Sequence, residues 1–157
     1  MKVLEDLIQD DNAETRLNVI RNLNQVAKCV GGEAFSQSHI CQKLKKMVQD
    51  DPQWRVKMAV VELVGDLCEI VDKQSYLGSM MPIFICYLKS TAAAVRQMGV
   101  KKLEKLAKIF KKDWVQNYLL PILTETYKQD KIAFHYRMAC LESVAAVLPV
   151  YEQKEMA

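Results

Sequence analysis

The chain has 157 residues, half of them apolar and 26% charged, with a formal net charge of +3. Such a composition describes an ordered chain, and its mild basicity does not by itself imply nucleic-acid binding. Five Gly and four Pro leave little room for linkers, and no stretch reaches the roughly 18 uninterrupted apolar residues of a membrane span.

In chain order, a short helix is predicted over 2–9, ended by Asp10-Asp11-Asn12. A longer one follows over 13–30 and stops at Gly31-Gly32, a C-terminal signal. A second pair opens with a helix over 38–49 and turns at Asp50-Asp51-Pro52. There Asp51 reads as an N-cap and Pro52 as the first helical residue. A carboxylate accepts from free backbone N–H groups, and proline has no N–H to leave orphaned. A third pair covers 74–110 with its turn at Ser90-Thr91, and a fourth covers 113–151 with its turn at Asp130-Lys131. Pro82 and Pro121 lie 39 positions apart in the two leading helices, and each is expected to bend or break its helix. Residues 153–157 are expected to fray.

These pairs repeat. Arg16, Lys57, Arg96 and Arg137 lie 41, 39 and 41 positions apart. Four residues beyond each stand Ile20, Val61, Val100 and Leu141; seven beyond, Leu23, Val64, Leu103 and Val144. Ten beyond come Val26, Leu67, Leu106 and Val147, and eleven beyond, Ala27, Cys68, Ala107 and Leu148. Those offsets trace one face of an α-helix. Two helices per unit of about 40 residues is the period of HEAT-type solenoids. The expected fold is an all-α, right-handed α-solenoid of about four HEAT-like helix pairs, with repeats over 1–32, 37–72, 74–110 and 113–151. A solenoid is more often a surface that holds partners than a pocket for chemistry. Neither end shows the polar outer face of a terminal repeat, so the chain reads as part of a longer array.

Several residues resemble one family. They are Thr15-Arg16-Leu17-Asn18-Val19-Ile20-Arg21-Asn22-Leu23, Gln53-Trp54-Arg55-Val56-Lys57-Met58-Ala59-Val60-Val61-Glu62, Lys101-Lys102-Leu103-Glu104-Lys105-Leu106 with Phe110 and Trp114, and His135-Tyr136-Arg137-Met138. In this order they resemble the A-type scaffold subunits of protein phosphatase 2A, over nearly the whole chain. The resemblance implies a non-catalytic scaffold whose inter-helix turns line up as a ridge that grips a phosphatase catalytic subunit, with a further regulatory subunit as a second partner. It also implies an aromatic contact three residues before each anchor. Here those positions hold Ala13, Trp54, Ala93 and Phe134, with Arg55 beside Trp54. Ala93 departs from the pattern, because the turn Ser90-Thr91-Ala92-Ala93-Ala94 lacks both acid and ring.

The remaining features carry bland readings. The run Lys101, Lys102, Lys105, Lys108, Lys111 and Lys112 reads as a solvated helix face. Its alternative is a nucleic-acid-binding HEAT-like module, and a generic protein-interaction adaptor is a third reading. Met80, Met81, Met98 and Met138 read as core filler. His39 and His135, 96 residues apart, show no metal spacing, and no phosphate loop or nucleophile motif appears. No enzyme activity, metal or cofactor is expected. Cys29, Cys41, Cys68, Cys86 and Cys140 are odd in number and lack CxxC spacing, which suits reduced thiols. With acids at Glu5 and Asp6 where a secretory signal would be apolar, the expected setting is the cytoplasm, or alternatively the nucleus.

Overall fold

The computed structural model describes residues 1–129 and 131–152, and these form helices and turns with no strand among them. The turn residue Asp130 and the expected fraying of 153–157 lie outside the described residues. The first unit is α1 (Lys2–Leu7) and α2 (Ala13–Val30), followed by an unforeseen short helix α3 (Gly32–Ser36). Next come α4 (His39–Asp50) and α5 (Trp54–Asp66), the latter running into a 3-10 turn at Leu67–Glu69. The third unit strings together α6 (Lys73–Ser75), a π turn at Tyr76–Met80, α7 (Met81–Phe84) and a 3-10 turn at Ile85–Lys89, then α8 (Ala93–Trp114). A second π turn at Val115–Leu119 leads into α9 (Leu120–Lys128), and α10 (Phe134–Glu152) completes the array.

Local chemistry sets the ends. α2 occupies the expected span, with the Asn12 side chain accepting from the Glu14 N–H at 2.9 Å. It stops at Gly31, whose φ of 91° is free of a Cβ penalty only in glycine. The start of α5 differs from expectation. Gln53, not Asp51, precedes the first helical residue Trp54, and Pro52 stays outside the helix. Asp51 is drawn elsewhere: its carboxylate already accepts from the Gln53 N–H at 2.9 Å and from Arg16. Both leading-helix prolines do interrupt their helices, through a π turn. That turn shifts the hydrogen-bond register, so Pro82 and Pro121 fall in the first turn of α7 and α9, where no N–H is needed. α8 kinks at Lys111, whose φ is 69°.

The elements pack in two layers. α2 lies on α5, α5 on α8 and α8 on α10, while α1 lies on α4 and α4 on α7. The layers meet through α1 with α2, α4 with α5, and α9 with α10. Each helix buries its stripe against neighbours only, the packing of a helical-repeat protein. In the first three units the core holds Ile20, Leu23 and Ala27, then Val61, Val64, Leu67 and Cys68, then Leu103, Leu106 and Ala107. Val26 and Val100 are half-buried.

The fourth unit departs. Val147 is buried and Val144 half-buried, but Leu141 and Leu148 are 51% and 46% exposed. The four-residue offset faces the following unit: Ile20 shares a cleft with Ala59 and Leu63 of α5. Beyond α10 no described helix supplies that cover. Met138 is exposed there for the same reason, contrary to its reading as core filler, whereas Met80 and Met81 are fully buried and Met98 half-buried. Between layers, the Tyr76 hydroxyl donates to the Val64 carbonyl at 2.7 Å. The Ser143 hydroxyl donates to the Ala139 carbonyl at 2.6 Å, so Tyr87 donates to Ser143 across a further 2.6 Å. No described helix is long and apolar enough to cross a membrane.

Candidate functional site: the ridge of inter-helix turns

The second helices α2, α5, α8 and α10 begin at Ala13, Trp54, Ala93 and Phe134, each three residues before its anchor. Sequence register has become spatial register. Ahead of the first three starts, Asn12, Gln53 and Ala92 adopt extended backbone. Two residues earlier, a side-chain oxygen accepts from that residue's N–H: Asp10 at 2.8 Å, Asp51 at 2.9 Å and Ser90 at 3.3 Å. The same short turn is therefore built three times. At the fourth, the Ala133 carbonyl accepts from the N–H groups of Tyr136 and Arg137.

Three of the anchors hold their turns, a role periodicity could not disclose, while the Arg137 guanidinium lies 5.8 Å from the Tyr127 ring centroid. Arg16 Nη1 donates to the carbonyls of Asp10 at 2.8 Å and Asp11 at 3.0 Å. Arg96 Nη1 repeats this with Ser90 at 2.8 Å and Thr91 at 3.1 Å, while Lys57 reaches the Gln49 carbonyl at 2.8 Å. Arg16 also forms a two-point pair with Asp51, Nε to Oδ2 at 3.0 Å and Nη2 to Oδ1 at 3.1 Å. Their side chains are only 11% and 6% exposed, so the first turn is tied to the second by a nearly dry ion pair.

The candidate contact residues stand on this ridge. Trp54 is 44% exposed, with the exposed Arg55 guanidinium 5.5 Å from its ring centroid. Phe134 is 76% exposed, Ala93 is exposed, and Ala13 is half-buried. The structure thus lines up Trp54, Ala93 and Phe134 at successive helix starts, two rings flanking a small, flat turn. Phe134 also continues into the exposed Met138, Leu141 and Leu148 of α10; of these, Met138 alone is expected in the core from sequence.

The lysine run divides. Lys102 and Lys105 donate to Asp66 of α5 at 2.8 and 3.0 Å, and Lys105 also pairs with Glu69 at 3.0 Å. Lys108 pairs with Glu104, and the Lys112 ammonium lies 4.8 Å from the Tyr151 ring centroid. Burial alone would raise the Asp66 carboxyl, but hydrogen bonds from Lys102 and Lys105 outweigh it and hold the group below the usual carboxylate range. Lys102 and Lys105 therefore form an inter-helix clasp, while Lys101, Lys108, Lys111 and Lys112 stay on the exposed face that the sequence predicts. Cys41, Cys68 and Cys140 are buried, and burial pushes the Cys41 and Cys68 thiols up to about 11, unlike a reactive nucleophile. His39 and His135 are exposed, the latter edge-on to Tyr136.

Stacked helix pairs with a ridge of stapled turns define an all-α helical-repeat protein. Among curated proteins, the chain is similar to the protein phosphatase 2A scaffold subunit of Dictyostelium discoideum, at 27% identity over 128 residues. That alignment covers 82% of this chain and 22% of the scaffold subunit, so the chain spans about a fifth of that relative's length. No family model matches the chain. Fold and likeness together describe a scaffold-like helical-repeat protein.

Proposed function

We propose that this chain is a non-catalytic scaffold that holds a protein phosphatase catalytic subunit along its ridge of turns. The supporting observation is the alignment of Trp54 and Phe134 as exposed rings on matching helix starts, with Arg55 stacked on Trp54. Exposed aromatic rings beside arginine are what binding hot spots favour. The rings supply apolar area to bury, and Arg55 supplies directed donors. Ala93 between them leaves a shallow step against which a partner can close. The similarity to a phosphatase 2A scaffold subunit supports this choice of partner.

The test is a binding titration of the catalytic subunit against the chain and its Trp54→Ala and Phe134→Ala variants. Each truncation is expected to cost on the order of 1–3 kcal/mol, a weakening of about 5- to 150-fold. Unchanged affinity in both variants rejects the ridge as the contact surface.

A further inference from the structure

The ion-pair step from one turn to the next is complete at one place and missing its acid at the next. Between the first and second turns, Arg16 finds Asp51, six residues before the following anchor. At the next step the corresponding residues are Lys57 and Ser90. No carboxylate stands there, and the Lys57 ammonium donates instead to the Gln49 carbonyl at 2.8 Å. An ammonium has three donors, so this leaves Lys57 two. Among the described residues neither Lys57 nor Lys89 forms an ion pair.

A groove of about 500 Å³ opens at this point, between the end of α4, the 3-10 turn Ile85–Lys89 and α9. Val48, Ile85, Leu88 and Ile122 form its apolar part, with Lys57 and Lys89 beside them and no acid anywhere in its lining. The cleft between the first two turns is the contrast: about 380 Å³, and lined by Asp10, Asp11, Asp50 and Asp51 together with its cations. One step of the ridge carries its own ion pair, Arg16 with Asp51, and the next is cationic over an apolar floor. A cleft of that size suits a short ligand segment.

We propose that this groove binds an extended segment of a partner protein in which an acidic residue is flanked by aliphatic ones. The carboxylate takes the place opposite Lys57 that Asp51 holds opposite Arg16, and the aliphatic side chains cover Val48, Ile85, Leu88 and Ile122. The apolar floor favours such a peptide over a sugar-phosphate backbone, which presents repeated charge and nothing to bury there. Binding is non-covalent, since the half-buried Cys86 thiol donates to the Pro82 carbonyl at 3.3 Å and burial raises its pKa. The site does not depend on which protein the exposed rings hold.

The experiment is an NMR titration of the ¹⁵N-labelled chain with the hexapeptide Ser-Leu-Asp-Glu-Leu-Ser and its amide counterpart Ser-Leu-Asn-Gln-Leu-Ser. Saturable shifts are expected at 48–49, 57, 85–91 and 122–126, with the amide peptide at least fivefold weaker. Lys57→Met is expected to weaken the acidic peptide at least fivefold. Ser90→Asp supplies the missing carboxylate from within, so it is expected to weaken the peptide similarly while raising Tm. Lys28→Met, on the exposed face of α2, is expected to change nothing. Absence of saturable shifts, equal affinity for the two peptides, or indifference to both Lys57→Met and Ser90→Asp overturns the proposal. So does saturable binding of a DNA duplex at this groove with none by the peptide. If the peptide fails while Trp54→Ala still weakens the catalytic subunit, the groove is rejected and the ridge stands; the opposite result rejects the ridge alone.

Discussion

At the scale of single residues, Arg16 carries more of the array than any other side chain on the ridge. Its guanidinium serves two backbone carbonyls of its own turn and both oxygens of Asp51 in the next. Removing one member of a nearly buried pair leaves the other charge uncompensated, which typically costs about 3–5 kcal/mol. Arg16→Met is expected to lower unfolding free energy by about that amount in urea titrations. Arg16→Met with Asp51→Leu is expected to recover at least half of the loss, because no lone charge is then stranded. Strictly additive losses in this cycle would show that the two residues are not coupled. The sequence disclosed Arg16 as a periodic marker but not this role. Asp51 looked like a local cap because capping is a short-range rule, whereas its strongest partner lies 35 residues away.

At the scale of helices, the stop of α2 and the proline breaks were legible, while the start of α5 and the form of the breaks were not. A Pro or Gly marks a local change of dihedral preference, so the stop of α2 at Gly31 and the interruptions at Pro82 and Pro121 could be read directly. The form of each interruption, a π turn, depends on how the leading helices sit on their neighbours. The clasp between α5 and α8 was hidden for a related reason: whether Lys102 and Lys105 meet Asp66 depends on the relative rotation of two helices. That clasp has a pH signature. The Asp66 carboxyl titrates below its unfolded value of about 3.9. Its stabilising contribution is therefore complete above about pH 5 and is lost as the pH falls through the folded value. Asp66→Asn is expected to be less stable than the parent by about 1–2 kcal/mol at pH 7, with the gap closing as the solution is acidified below about pH 4. Thermal unfolding of both proteins across that range measures it, and a gap independent of pH would assign the loss to packing instead.

At the scale of the whole molecule, the two outer faces of the helix stack differ. The exposed positions of α2 are Glu14, Asn18, Arg21, Asn22, Gln25 and Lys28, with Cys29 and Val30 at its end, a predominantly polar face. The exposed positions of α10 include Phe134, Met138, Leu141, Ala145 and Leu148, spaced by four and three residues in alternation. Periodicity could not tell these faces apart, because a repeat pattern reports which residues are able to pack and not whether a neighbour is present. Leu141 and Leu148 keep the offsets that bury Ile20 and Ala27 in the first unit, yet they meet no described helix. A contiguous exposed stripe of this kind attracts apolar dyes and promotes association at high concentration. The chain is accordingly expected to enhance fluorescence of anilinonaphthalene sulfonate in its native state and to sediment with a weight that rises with concentration. Leu141→Lys combined with Leu148→Lys is expected to reduce both effects at least severalfold while moving Tm little, since neither side chain supports the core. A substantial fall in Tm for that double variant, with dye binding unchanged, would mean that the stripe already packs within the fold.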